Sequence, residues 1–172
     1  DKTDKITYHK SNDNIVKVLF IGDVVGKPGR RSVREFLDAN KQKYDLVFAN
    51  AENLSSGRGI TIEKYLETEA FGIDFFTSGN HIWSYDEFVE HLSDPKIKVL
   101  RLANYPNSAP GRGFVEIPVK GVKIILANLQ GRVFMKDEID DPFVAGKEIA
   151  DEHKDSIVII DFHAEATSEK IA

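Results

Sequence analysis

Short apolar runs alternate with amphipathic stretches along most of the chain, and four of the runs end alike. Residues 16–21 are nearly continuously apolar, broken by Lys17, and lead into Gly22-Asp23. Residues 46–49 lead into Asn50-Ala51-Glu52-Asn53. Phe75-Phe76-Thr77 precedes Gly79-Asn80-His81, and residues 157–160 precede Asp161-Phe162-His163. Runs this short and apolar predict strands covered on both faces, as in a parallel sheet flanked by helices. A glycine-punctuated loop is expected over 22–29, then a helix over 32–43 with Val33, Phe36, Leu37 and Asn40 on one face. Thr61 is the predicted N-cap of a helix carrying Ile62, Tyr65 and Leu66. A third strand over 73–77, a helix over 85–92 and a short strand over 98–102 follow. Residues 114–119 and 122–128, joined around Lys120-Gly121, predict an antiparallel hairpin. Asp141-Pro142 supplies an N-cap and a proline at the first helical position, opening a helix to about His153. Residues 167–172 predict the start of another. The expected class is α/β, with a mainly parallel sheet and an added hairpin.

In an open α/β sheet, ligands bind in the crevice beyond the carboxyl ends of parallel strands. Asp23, Glu52, Asn53, Asn80, His81 and His163 all fall at such ends, which predicts one polynuclear metal site assembled from four loops. Each residue alone has a plainer reading. Asp23 suits a turn or helix cap, Glu52 an exposed loop, His81 a hydrogen-bonded ring, and Asp161 with His163 a salt-bridged strand terminus. Unrelated structural uses would not be expected to share one sheet edge. One carboxylate at Glu52 can bridge two cations, and Asn80-His81 offers a ligand beside a general acid. The chemistry expected is hydrolysis by metal-activated water. His9, His91 and His153 read as solvated, Trp83 and Tyr85 as loop packing in preference to base stacking. Arg112 and Arg132 are candidate phosphate contacts or ordinary surface cations.

Composition narrows the ligands. The 172 residues contain no Cys, which removes thiolate zinc, iron–sulfur and disulfide chemistry. Oxygen and imidazole donors suit Fe, Mn, Zn or Mg. A net charge of −5 argues against a general nucleic-acid groove. No apolar run approaches the roughly 20 residues of a membrane span, and no signal-peptide pattern opens the chain, so a cytoplasmic location is expected. Residues 1–14 are polar and without periodicity, and read as a disordered leader or a cloning remnant. Residues 15–172 read as one domain.

Several stretches carry a family resemblance: 19–31 (LFIGDVVGKPGRR), 49–53 (ANAEN), Gly79-Asn80-His81 with Trp83, 101–106 (RLANYP), 110–113 (PGRG), 128–135 (NLQGRVFM), 140–143 (DDPF) and 161–172 (DFHAEATSEKIA). By these the chain resembles the YmdB-type family of calcineurin-like metallophosphoesterases. The resemblance implies an α/β/β/α metallophosphoesterase sandwich and phosphodiesterase activity on small phosphodiesters, 2′,3′-cyclic nucleotides among them. It also implies two divalent or trivalent metal ions, Fe or Mn before Zn or Mg. Carried over by position, Asp23 and Asn53 would bind the first metal, Glu52 would bridge both, Asn80 and His163 would bind the second, and His81 would be the catalytic proton donor. It further implies that the chain stops before a Gly-Thr-His-Thr-His segment, leaving each metal one imidazole short and the sandwich without its last strands. Homo-oligomerisation is compatible with it. The alternative function is a regulatory protein that senses a nucleotide or partner with little or no turnover.

Overall fold

A computed structural model describes residues 15–172; the leader and His9 lie outside the described residues. The elements run β1 (Val18–Asp23), α1 (Gly26–Asn40), β2 (Leu46–Asn50), α2 (Ile62–Glu69), β3 (Phe75–Thr77), α3 (Asp86–His91), β4 (Phe114–Val119), β5 (Val122–Gln130), α4 (Pro142–Glu152), β6 (Ile157–His163) and α5 (Thr167–Ile171). Short 3-10 turns follow α1, at Lys41–Lys43, and β3, at Asn80–Ser84.

The strands form two sheets. One is fully parallel in the order β1-β2-β3, and the other runs β4-β5-β6. The predicted hairpin pairs antiparallel, Phe114 opposite Ala127 and Val119 opposite Val122, but it does not extend the first sheet. It founds the second sheet, which β6 joins parallel to β5. The one mainly parallel sheet expected from the apolar pattern is therefore corrected, and the two-sheet sandwich implied by the resemblance is what forms. Alternation explains the layering, since successive strand residues face opposite sides. Leu46 and Phe48 of β2 pack with Ile124 and Leu126 of β5, forming an apolar seam between the sheets. Val47 and Ala49 face the other way, into a core with Val33 and Leu37 of α1, Tyr65 of α2 and Phe88 of α3. Ile125 and Ala127 of β5 meet Ile149 of α4 on the far side. The order is α/β/β/α. Full burial of one such Phe, Leu or Ile contributes about 1.5–3 kcal/mol.

The caps follow the sequence. The Thr61 hydroxyl accepts from the Lys64 N–H, and Asp141 accepts from Phe143 and Val144. Two local expectations change. Helix α1 begins at Gly26, six residues before its predicted start, because Gly26 adopts φ 54° and Pro28 sits in the first turn, where its missing N–H is no loss. The strand expected over 98–102 is reduced to two single bridges, Phe76 to Val99 and Leu100 to Arg112.

Candidate functional site

At the carboxyl ends of β2, β5 and β6 the residues on the inter-sheet face turn polar. Asn50 continues the line of Leu46 and Phe48, and Asn128 that of Ile124 and Leu126, while Asp161 pairs with Asn128 in the ladder. Asn50 Nδ2 donates to Asp161 Oδ2 at 2.8 Å and to the Ser78 carbonyl at 3.1 Å, and the Thr77 hydroxyl donates to the same Asp161 oxygen. Asn128 Nδ2 donates to the Ser78 carbonyl at 3.1 Å. This layer ties the two sheets together beneath the loops that carry the candidate residues.

Above it, the backbone of each loop is fixed. Val24 N donates to Asn50 O, Ala51 N to Thr77 O, and Gly26 N to Asn53 O, all at 2.9–3.0 Å. Glu52 N donates to Asn50 Oδ1 at 3.0 Å. Glu52 is thereby held 5% exposed, with Oε2 buried and without a hydrogen-bond partner. That oxygen lies 3.8 Å from His81 Nδ1 and 3.6 Å from His163 Nε2. Asn53 donates from Nδ2 to Asp23 Oδ2 at 2.7 Å and to Glu52 Oε1 at 3.3 Å, while its Oδ1 lies 2.8 Å from His81 Nδ1. His163 Nε2 lies 3.1 Å from Asn80 Oδ1. The structure thus brings all six predicted residues into one network. Gly79 makes the approach practicable: a Cβ there would overlap Glu52 Oε2 and come within 2.9 Å of His163 Cε1.

Burial pushes the Glu52 carboxyl above the usual carboxylate range; the His81 charge opposes this and the nearby Asp23 charge adds to it. Burial also pushes His163 below its usual value, against the pull of Asp161 and Glu165. A carboxylate desolvated in this way, with one oxygen unpartnered, is the chemistry of a cation site. Among the described residues no three His, Cys, Asp or Glu side chains are arranged to hold a metal ion by themselves, so any such site depends on the amide oxygens of Asn53 and Asn80. Asn80 already turns its oxygen inward. Asn53 turns its nitrogen to the carboxylates, and ligation through Oδ1 requires that amide to be turned over. With that rotation the donor set fits hard or borderline divalent ions.

Other readings sort differently. Trp83 packs on Tyr105 with ring centroids 5.3 Å apart, and it also lines the cleft beside His81. Arg112 lies over the Phe75 ring and donates to Ile97 O, a structural role, and Arg132 pairs with Asp141 at 2.6 Å. His91 is exposed, as expected. His153 is not solvated: it is half-buried against the Phe114 ring, and its Nε2 is buried without a partner. The polar layer of Asn50, Thr77, Ser78 and Asn128 was not anticipated. Its signal was available in the alternation, which puts Asn50 in line with Leu46 and Phe48.

The sequence profile of the YmdB-like protein family matches residues 19–172. The chain belongs to the YmdB-like family. A relative from Bacillus subtilis (strain 168), described as a 2′,3′-cyclic-nucleotide 2′-phosphodiesterase, is 40% identical over 161 residues, covering 91% of this chain and 60% of its own length. The crystal structure of a hypothetical protein from Thermus thermophilus superposes with a TM-score of 0.84 at 40% identity, over 91% of this chain and 61% of that one. A Mycoplasma pneumoniae structure described as a novel phosphatase gives 0.83 at 34% identity, over 91% and 58%. The chain therefore spans about 60% of the length of the YmdB-like relatives it matches. Its fold is that of the α/β/β/α metallophosphoesterases. Among the described residues no helix is long and apolar enough to cross a membrane.

Proposed function

We propose that the whole protein is a metal-dependent phosphoesterase that hydrolyses small phosphodiesters, 2′,3′-cyclic nucleotides among them. The observation that carries this reading is the buried, unpartnered Oε2 of Glu52, faced by two imidazoles and flanked by the Asn53 and Asn80 amides. In this reading Asp23, Glu52 and Asn53 hold one divalent ion, and Glu52, Asn80 and His163 a second. Such ions, when bound, supply positive charge that polarises a phosphoryl oxygen and makes a water nucleophilic at neutral pH. The chain's own residues do the rest. Glu52 places its charge between the two halves of the donor set. His81 is held through Nδ1 by Asn53; with that amide turned over to ligate, its Nδ2 donates to Nδ1, and the ring proton on Nε2 is the one given to the departing ribose oxygen. Relatives described as a cyclic-nucleotide phosphodiesterase and a phosphatase support the reaction class.

The test is metal content and turnover measured on one preparation of the whole protein. About two divalent ions per chain, with hydrolysis of 2′,3′-cyclic AMP lost on chelation and regained on reloading, is the expected result. Turnover unaffected by chelation would overturn the metal-dependent mechanism. No hydrolysis of any phosphodiester by fully loaded protein would overturn the activity.

A further inference from the structure

The cleft over Glu52 is larger than the proposed chemistry needs. It encloses about 730 Å³, within the range of cavities that hold whole small-molecule ligands and well beyond one phosphoryl group. Its lining includes Phe134 as well as His81 and His163. Phe134 is 85% exposed, the highest value among the large hydrophobic residues described. Its backbone has φ 66°, a left-handed conformation that a bulky side chain adopts only when its surroundings impose it. The surroundings do impose it. Glu169 accepts from the backbone N–H of Arg132 at 2.8 Å and of Val133 at 3.2 Å. Arg132 is tied to Asp141, and the Met135 N–H closes the turn on Arg132 O at 3.2 Å. A turn fastened from α5 and from the cap of α4 thus holds an unburied aromatic ring at the cleft. Among the described residues neither packing nor propensity accounts for it, and unfavourable backbone conformations held in this way cluster at ligand clamps. Arg58 and Lys136 line the same cavity, and neither forms an ion pair among the described residues.

We propose that Phe134 is the platform on which the base of a nucleotide substrate stacks, with Arg58 and Lys136 supplying positive charge to the same cavity. The inference rests on the phosphodiesterase reading of the cleft and names its substrate class. Stacking on an aromatic face is worth enough to be seen in binding and tolerates any base, so selectivity for the presence of a ring, more than for its identity, is expected.

The test compares the whole protein and its Phe134→Ala and Phe134→Tyr variants on 2′,3′-cyclic AMP and on glycerol 1,2-cyclic phosphate, which has no aromatic base. The kcat/KM ratio of nucleotide to glycerol diester should fall about tenfold in Phe134→Ala, chiefly through KM, and be kept in Phe134→Tyr. An unchanged ratio overturns the inference. So does an equal loss on both substrates, which would make Phe134 a packing residue. Should the unaltered protein hydrolyse neither diester, the phosphodiesterase reading fails and the platform is judged by binding alone. In equilibrium dialysis, Phe134→Ala should then weaken AMP about tenfold and ribose 5-phosphate little. Equal binding of AMP by both proteins overturns it.

Discussion

Asn53 Oδ1 meets His81 Nδ1 at 2.8 Å while the same amide's Nδ2 reaches Asp23 at 2.7 Å. One side chain therefore orients the proposed proton donor and ties it to the carboxylates. Because a carbonyl oxygen can only accept, the His81 Nδ1 carries the hydrogen in this arrangement. Turning the amide over reverses both bonds, presenting oxygen to the carboxylates and leaving the proton of a neutral ring on Nε2.

Replacing His81 with Ala separates proton donation from metal holding. Turnover of a poor leaving group, a ribose oxygen, is expected to fall about 10²–10⁴-fold with metal content retained. A p-nitrophenolate leaving group needs little protonation and should be far less affected. Steady-state rates on the two substrates, beside elemental analysis, check both halves.

Glu52→Gln should act in opposite directions on stability and on metal. Burial raises the folded carboxyl above its ordinary value near 4.5, so the proton is held more tightly in the folded state. The stability this gives is present below that value and is lost as pH rises through the raised folded pKa. The metal-free protein should thus lose stability over that interval, and Glu52→Gln should flatten the loss while binding less metal. Thermal melts across pH, with and without added Mn²⁺, read this out.

His163 gives the opposite slope. Its pKa is lowered from 6.5 by burial, so its contribution to stability is present above 6.5 and lost as pH falls through the lower folded value. His163→Gln should remove that acid-side loss in the metal-free protein. Comparing the two variants assigns each limb of the profile to one residue.

Gly79→Ala tests the packing that brings Glu52 and His163 together. The added methyl has no room beside Glu52 Oε2, so metal content should drop sharply while the circular dichroism spectrum remains that of the parent. Loss of fold together with metal would show that the loop is also needed to form the sheet.

Thr77→Val leaves Asp161 with one fewer donor in a part-buried setting. Hydrogen bonds to a charged group contribute about 1.5–3 kcal/mol, and a loss of that order is expected in urea denaturation.

Much of this was legible in the sequence, for identifiable reasons. The β2 run is apolar because both of its faces are buried, so it announced itself. Asp23, Glu52, Asn80 and His163 stood out because hard donors followed such runs. The start of α1 was hidden because Gly22, Gly26 and Gly29 read as a loop, and only the carbonyl of Asn53 shows that Gly26 opens a helix. The second sheet came from the family resemblance and not from the apolar pattern, for a related reason. β5 is apolar on both faces, so nothing in its pattern distinguishes the edge of one sheet from the centre of another. His153 looked solvated because its neighbours are charged, while its ring is covered by Phe114, remote in sequence. The exposure of Phe134 follows from a φ value that local composition does not encode.

Of the six residues in the network, Asp23 ends β1, four come from the loops after β2 and β3, and His163 alone comes from the second sheet. Any ligand that engages Glu52 and His163 together therefore binds only while the two sheets are docked, and adds RT ln(1 + [L]/Kd) to the free energy holding them so. By reciprocity, loosening the far, apolar end of the seam at Leu46 or Ile124 registers at the cleft as weakened affinity, although no ligand contact has been touched.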